Sequence, residues 1–157
     1  MTGPINTLRT RLAADRPEPR LRLFLRALAE EIDLFAGSEA RDTLLRKTGH
    51  RLARLMPLPA VGTMDGLEIE MNDRLAALGW GSAHLDLREE ERCLVIAHAF
   101  PPRIGAAGDP PGTWFAAMLA GLYETWVADQ PGGDPSLTAE RQGDDGPEMI
   151  TLRLRRL

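Results

Sequence analysis

Apolar residues in the first half of the chain recur every three to four positions, which is the spacing of an amphipathic helix. The pattern predicts four helices, separated by proline or glycine residues: 5–12, 19–36, 39–56 and 64–78. In the second helix the apolar positions form one stripe: Leu21, Phe24, Leu25, Leu28, Ile32 and Phe35. In the third helix four leucines are expected to face the interior: Leu44, Leu45, Leu52 and Leu55. Each helix therefore needs another element to cover its apolar side.

After Gly79 the spacing of apolar residues changes to two, which is the alternation of a half-buried strand. Strands are predicted over 80–88 and 92–99, joined as a hairpin, and over 136–142 and 148–156 around a Gly-Asp-Asp-Gly turn. In the last strand Ile150, Leu152 and Leu154 are expected to point the same way. The sequence therefore predicts four strands in two hairpins.

A fifth helix, opened by Gly112 or Thr113, lies between the two hairpins. The predicted order is α-α-α-α-β-β-α-β-β, with N-terminal helices followed by a small, mainly antiparallel, four-stranded sheet. This order is typical of the α+β class. The 157 residues are the length of one domain, so we expect residues 1–157 to form a single unit.

The composition is that of a soluble globular protein, with 43% apolar and 27% charged residues. The first twenty residues are polar and arginine-rich and lack the apolar core of a secretory signal. No apolar stretch approaches the roughly 18 residues that a membrane-spanning helix needs. We therefore expect a cytoplasmic protein, and the single Cys93 fits a reducing compartment.

Charge is unevenly distributed along the chain. Residues 1–56 carry eleven Lys+Arg against seven Asp+Glu, a net +4, and residues 57–157 carry eight against sixteen, a net −8. The acidic total argues against nucleic acid as a partner, because binding phosphates needs a concentrated basic face. The basic third is explained either by solvated helix faces or by attraction between the N-terminal part of one copy and the acidic body of another.

No pattern of metal-ligating or nucleophilic residues is present. His50, His84 and His98 do not form a ligand motif, although the last two are candidates for facing each other across the first hairpin. Cys93 is expected to be a small buried apolar residue. No metal site and no cofactor are therefore predicted.

Two further segments resemble catalytic motifs only superficially. The glutamates at 89–91 lie in a turn, where solvation explains them, and a glycosidase needs two carboxylates in one cleft. The glycine-rich segment 104–113 lacks the Gly-Lys-Ser/Thr ending of a phosphate-binding loop, and it carries Asp109 where a phosphate would lie. We therefore expect a protein without enzymatic activity.

The fifth helix carries three large aromatic side chains: Trp114, Tyr123 and Trp126. Aromatic residues of this kind pack in a core, form subunit contacts or stack on sugar rings. Because tryptophan and tyrosine are enriched at the centres of interfaces, these three are candidates for contacts between subunits.

Taken together, a series of segments resembles the D subunit of bacterial cellulose synthase. The segments are LFLRALAEEID at 23–33, RDTLLR at 41–46, LEIEMN at 67–72, Trp80-Gly81, Leu85-Asp86-Leu87, Gly112-Thr113-Trp114, Gly121-Leu122-Tyr123 and Gln130-Pro131-Gly132. Their order and spacing resemble those of the family over about residues 23–133.

The resemblance implies a protein without catalytic activity that forms dimers and stacks them into an octameric ring, a tetramer of dimers. The interior of that cylinder would hold passageways that keep nascent β-1,4-glucan chains apart and aligned for export and crystallisation. The implied partners are the other subunits of the cellulose synthase complex, a proline-rich accessory protein and the glucan chains. The implied location is at the inner-membrane complex, on the cytoplasmic side, with the periplasm as the alternative.

The N-terminal part departs from the family pattern, because residues 1–20 are longer and more basic than is usual there. We expect residues 1–18 to form a helical arm that lines a passageway, but the resemblance assigns no contact residue to it. Four residues lie on the polar side of the predicted first helix and suit hydrogen bonds to glucan hydroxyls: Asn6, Thr7, Arg9 and Thr10.

Two other functions remain open at this level. The helical lead-in to β-β-α-β-β, together with residues 44–49, is similar to vinyl-reductase-like ligand-binding domains, which are small-molecule sensors. Those domains often use a Cys/His metal cluster or a haem histidine, which the scattered histidines and Cys93 fit poorly. A polysaccharide hydrolase is disfavoured because no acid pair is apparent.

Overall fold

A computed structural model of the chain describes residues 19–102, 113–143, 146 and 148–157. These residues contain three helices and four strands. The predicted helix over 5–12 lies outside these residues. The elements are α1 Pro19–Leu55, α2 Met64–Leu78, β1 Ser82–Arg88, β2 Cys93–Ala99, α3 Thr113–Ala128, β3 Leu137–Gln142 and β4 Met149–Arg156. The α+β class and the four-stranded antiparallel sheet are therefore confirmed.

A kink at Gly37 divides α1 into two parts. Gly37 has φ 83° and ψ 167°, a backbone conformation that is open to essentially no residue but glycine. The predicted helix end at this residue is present, but the helix resumes at once. The second and third predicted helices are therefore one kinked element. From here on we call its residues 23–36 the arm, a name that does not include the predicted N-terminal arm over residues 1–18.

Helix α2 has well-defined ends. The Thr63 hydroxyl accepts a hydrogen bond from the Gly66 N–H at 3.0 Å, and Gly79 closes the helix in the left-handed conformation with φ 66°. Leu67, Met71 and Leu75 are its buried face. These caps agree with the ends predicted from the sequence.

The four strands lie in the order β1-β2-β4-β3, and every neighbouring pair is antiparallel. On the central strand β4, Ile150, Leu152 and Leu154 are all buried, as the alternation predicted. In the first hairpin His84 pairs with Ala97, and His98 pairs with Ala83. The proposed facing of the two histidines is therefore wrong, because the register is offset by one residue and puts their side chains on opposite faces of the sheet.

The core is formed where α3 lies between α1 and the sheet, with α2 packed against β1. Backbones approach closely at the α1–α3 crossing. A Cβ on Gly49 would lie 2.0 Å from the Met118 carbonyl oxygen, and one on Gly121 would lie 2.0 Å from the Arg46 carbonyl oxygen. Both positions therefore require glycine, which explains two glycines inside helices where they cost stability.

Side chains of α2 form hydrogen bonds with backbone groups along the outer edge of β1. Asn72 accepts from the Ala83 N–H at 2.7 Å and donates to the Ala83 carbonyl at 2.8 Å. Glu68 accepts from the Leu85 N–H at 2.8 Å. An added strand would need these same backbone groups, so this stretch of the edge is closed to pairing.

Candidate functional site

The four predicted glucan-contacting residues lie outside the described part of the chain: Asn6, Thr7, Arg9 and Thr10. Their role therefore stays a prediction.

The three aromatic residues predicted to contact other copies lie inside the core of the chain itself. Trp114, Tyr123 and Trp126 are 2%, 0% and 1% exposed. The Trp126 indole N–H donates to the Met56 carbonyl at 2.9 Å, and the Arg41 guanidinium lies over the Trp114 ring at 4.8 Å from its centroid. These contacts account for the three aromatic residues by packing within the chain, and their role as subunit contacts stays a prediction.

Large apolar side chains are exposed along α1: Leu23, Phe24, Leu28, Leu34, Phe35, Leu44 and Leu55. Leu44 and Leu55 are 46% and 71% exposed, so the prediction that they face the interior is wrong. The reason is that α3 covers only the side of α1 that carries Gly49. In the arm, Phe24, Leu28 and Phe35 of the predicted stripe are exposed, whereas Leu25 and Ile32 are half-buried. None of the described residues covers Phe24 or Phe35.

An apolar slot opens beside the arm, between the two parts of α1 and α3. Its volume is about 140 Å³. Its walls are almost entirely apolar and include Leu28, Ile32, Leu45, Trp114, Phe115 and Met118. The buried Trp114 and Phe115 belong to the core, so the slot connects the exposed face of the arm with the interior of the molecule.

A wider groove of about 740 Å³ lies between α1, α3 and the strands β3 and β4. Its inner surface is made of small residues, including Ala116, Ala120 and Ala139, and its rim carries charged side chains such as Lys47 and Asp42. This combination offers hydrogen-bond donors and acceptors around a shallow apolar floor.

Glu124 joins the elements at one end of this groove. Its carboxylate accepts from Arg46 Nη1 at 2.6 Å and from the Ala139 N–H at 2.8 Å, and it lies 2.7 Å from His50 Nε2. Arg46 Nη2 also donates to the Ala139 carbonyl at 2.6 Å. These bonds tie α1 and α3 to the edge strand β3, and they occupy the outward backbone groups of Ala139 as α2 does for β1.

Arg41 links the arm to the rest of the molecule. It is 4% exposed, and its guanidinium contacts the carboxylates of Asp33, on the arm, and Asp42, both on α1. Because Asp33 and Arg41 lie on opposite sides of Gly37, their ion pair at 3.2 Å bridges the kink. The position of the arm is therefore supported by a buried charge that also stacks on Trp114.

His98 is fully buried and bonded at both ring nitrogens. Nδ1 lies 2.6 Å from the Tyr123 hydroxyl, and Nε2 lies 2.7 Å from the Trp80 carbonyl oxygen. Since the carbonyl can only accept, Nε2 carries the proton and Nδ1 accepts from Tyr123. Burial lowers the pKa of His98 to about 4, against a smaller opposing effect of the bond to Trp80. Burial also raises the pKa of Tyr123, so both groups are neutral and structural.

The remaining candidates for chemistry lie apart. His84 is exposed and pairs with Glu68 at 3.0 Å, and Cys93 is buried, as predicted. Within the described ranges no three or more His, Cys, Asp and Glu side chains converge on a point where a metal ion would bind. In the same ranges no helix is both long and apolar enough to cross a bilayer.

Comparison with known proteins identifies the family. The model of the family described as the D subunit of cellulose synthase matches residues 7–155. The chain belongs to this family. Its relatives include the cellulose synthase operon protein D of Komagataeibacter xylinus and that of Komagataeibacter sucrofermentans, each 43% identical over 130 residues, 82% of this chain and 83% of the relative. Another such protein from Komagataeibacter xylinus is 44% identical over 131 residues.

The family match confirms the resemblance seen in the sequence. It spans the arm, the apolar slot and the Glu124 network, all of which lie within residues 7–155. These features therefore belong to the part of the chain that matches the family.

Proposed function

We propose that this chain is a non-catalytic accessory component of a bacterial cellulose synthase complex and works as one wall segment of a multi-copy cylinder. Eight copies, arranged as a tetramer of dimers, enclose passageways that hold nascent β-1,4-glucan chains apart until they crystallise. The partners are other copies of the chain, the subunits of the synthase complex, a proline-rich accessory protein and the glucan itself.

The exposed apolar face of the arm, in a chain of the cellulose synthase operon protein D family, is the observation that carries the proposal. Leu23, Phe24, Leu34 and Phe35 are between 61% and 93% exposed within 13 residues of sequence. Contiguous apolar surface of this kind marks an interaction site on soluble proteins. A protein that functions by assembly needs such a face, whereas an enzyme acting alone gains nothing from it.

The hydrogen bonds made by Glu124 and His98 support a structural role for the two side chains. Glu124 and His98 are the most enclosed acid and base described above, and each has its polar atoms bonded to neighbouring elements. A general acid or base must instead present its proton to a substrate. The chemistry of these two groups is therefore directed at holding α1, α3 and the sheet together.

For contact with glucan we propose the polar residues near the N-terminus: Asn6, Thr7, Arg9 and Thr10. Their hydroxyl, amide and guanidinium groups suit water-mediated and direct hydrogen bonds to sugar hydroxyls, which hold a moving chain loosely. The protein would act at the inner-membrane synthase, on the cytoplasmic side. A periplasmic position is the alternative, and a reporter fusion that is active in only one compartment distinguishes the two.

Complementation tests the proposed function. A cellulose-producing strain that lacks its own cellulose synthase operon protein D should regain cellulose yield and crystalline order when it expresses this chain. The purified chain should also co-purify with the synthase complex of that strain. A stable, well-expressed chain that restores neither yield nor order would contradict the proposal.

A further inference from the structure

The arm of α1 carries a protruding aromatic side chain, and the apolar slot beside the arm is of matching size. Phe24 is 61% exposed, and the apolar slot beside the arm has a volume of about 140 Å³. A cavity of about 150 Å³ with apolar walls is large enough to bind benzene. The slot is therefore large enough for one phenyl ring, and Phe24 of the same copy lies outside it.

The charges along the same helix are arranged so that a second copy complements the first in an antiparallel orientation. The arginines of this segment precede Leu28 in the sequence, and the carboxylates follow it: Arg20, Arg22 and Arg26, then Glu30, Glu31 and Asp33. Two such helices that run in opposite directions place the basic half of each beside the acidic half of the other. Parallel helices would place like charges together, which is unfavourable.

We propose that two copies pair their arms antiparallel about a twofold axis, so that the Phe24 ring of each copy enters the apolar slot of the other. In a register that sets Phe24 against Ile32 of the second copy, which lines the slot, Arg26 of each copy lies level with Glu30 of the other. The same contacts occur twice by symmetry, as a twofold interface requires. Each copy then buries its exposed stripe and fills its slot. This inference rests on the proposed multi-copy assembly and identifies the contact that builds its dimer.

The sheet edges offer a poorer route to a second copy. On β1 the backbone groups of Ala83 and Leu85 are bonded to side chains of α2, and on β3 those of Ala139 are bonded to Arg46 and Glu124. Adding a strand at these positions would first break bonds within the chain. The arm requires no such exchange, because the described part of the molecule leaves Phe24, Leu28 and Phe35 exposed.

The test compares the mass of three full-length chains by light scattering over a range of concentrations: wild type, Phe24→Ser and Ile69→Ser. Ile69 is a matched control, since it is 60% exposed on α2, away from the arm. We expect Phe24→Ser to raise the dimer dissociation constant about tenfold or more, while Ile69→Ser assembles as the wild type does. Both positions are exposed, so circular dichroism should show an unchanged fold.

A crosslinking experiment identifies the occupant of the slot. A chain carrying Phe24→Cys, mixed with a differently tagged chain carrying Ile32→Cys, should give a disulfide-linked pair that contains both tags. The native Cys93 is buried and should not compete.

Two results would overturn the inference. If wild type assembles and Phe24→Ser assembles equally well, the dimer is built through another surface, and the proposed function still stands. If deletion of residues 2–16 abolishes assembly while Phe24→Ser does not, the N-terminal segment and not the arm builds the contact between copies. A wild-type chain that stays monomeric at every concentration would instead contradict the proposed function itself.

Discussion

Gly49 of α1 and Gly121 of α3 lie against the opposite helix backbone at the crossing of these two helices. Each glycine takes the place where a Cβ would come within 2.0 Å of a carbonyl oxygen of the other helix. This close approach brings Arg46 and His50, on the neighbouring turns of α1, within reach of Glu124 on α3. The same crossing places the second part of α1 over Trp114 and Phe115 and so forms one wall of the apolar slot.

Substitution of Gly49 by alanine should separate the helices. In an ordinary helix position this change stabilises a protein by about 0.5–1 kcal/mol. Here we expect a net loss of about 1–3 kcal/mol, because the added methyl group meets backbone atoms that cannot rotate away. Urea unfolding measures it, with Gly62→Ala as the control, since a Cβ at Gly62 meets nothing within 4 Å. Equal stability of the two variants would show that the helices do not meet as described.

Replacing Glu124 by glutamine should weaken the junction of α1, α3 and β3. The amide keeps the shape but loses the negative charge that Arg46 faces, and we expect a loss of about 1.5–3 kcal/mol in the free energy of unfolding. Glu140→Gln is the matched control, because Glu140 pairs with Arg155 on the exposed face at 3.0 Å. Such an exposed pair contributes about 0–1 kcal/mol. A control as damaging as Glu124→Gln would argue against a special role for the buried carboxylate.

Stability should fall as the pH is lowered from about 6.5 to 4, because His98 is buried in its neutral form. Its folded-state pKa is about 4 against 6.5 for the free side chain, so in this window the unfolded chain binds a proton that the folded chain does not. The loss approaches about 3 kcal/mol and is complete below pH 4. His98→Gln should flatten this part of the pH profile, and His84→Gln, at an exposed position, should leave it unchanged.

Protonation of Asp134 should cause a second loss of stability, at lower pH. Its pKa is lowered to about 2, chiefly by hydrogen bonds from Ser136 and further by Arg156. A carboxyl with a lowered pKa contributes stability above its unfolded value of 3.8, and this contribution is lost as the pH falls toward 2. Asp134→Asn should remove the part of the acid-induced loss that occurs below pH 4. A profile in which only the His98 window changes in this variant would contradict the assignment.

Deletion of residues 2–16 should separate contact with glucan from assembly. We expect the truncated chain to keep the mass of the wild-type oligomer, since the arm and the slot are intact, and to reduce the yield or order of cellulose in the complemented strain. The matched variant is Phe24→Ser, which should impair assembly and cellulose together. Cellulose of wild-type yield and order from the truncated chain would remove the basis for assigning contacts to Asn6, Thr7, Arg9 and Thr10.

Local patterns predicted most of the secondary structure because its determinants are local. The alternation of Ile150, Leu152 and Leu154 identified β4 and its buried face, and Gly79 marked the end of α2. Gly37 marked a break in α1. When the residues on both sides favour a helix, a single glycine with positive φ kinks the helix and does not end it. Spacing along one chain did not reveal that the two parts form one kinked element.

The exposed apolar face of α1 was harder to predict, because a periodic pattern shows that a helix has an apolar side and not what covers it. Trp114, Tyr123 and Trp126 are buried, where the sequence leaves core packing, subunit contact and sugar stacking as alternatives. Leu44 and Leu55, which the sequence predicts to face the interior, are exposed. Which stripe meets α3 is decided by the close crossing at Gly49 and Gly121. A glycine in the middle of each predicted helix was the available signal for that contact.

The mass of the wild-type chain in solution tests the central claim most directly. Multi-angle light scattering at physiological salt should give eight times the 17.3 kDa of one chain, about 138 kDa, with a dimer of about 35 kDa on dilution. A constant mass of one chain across the whole concentration range would contradict a protein that works as part of a wall.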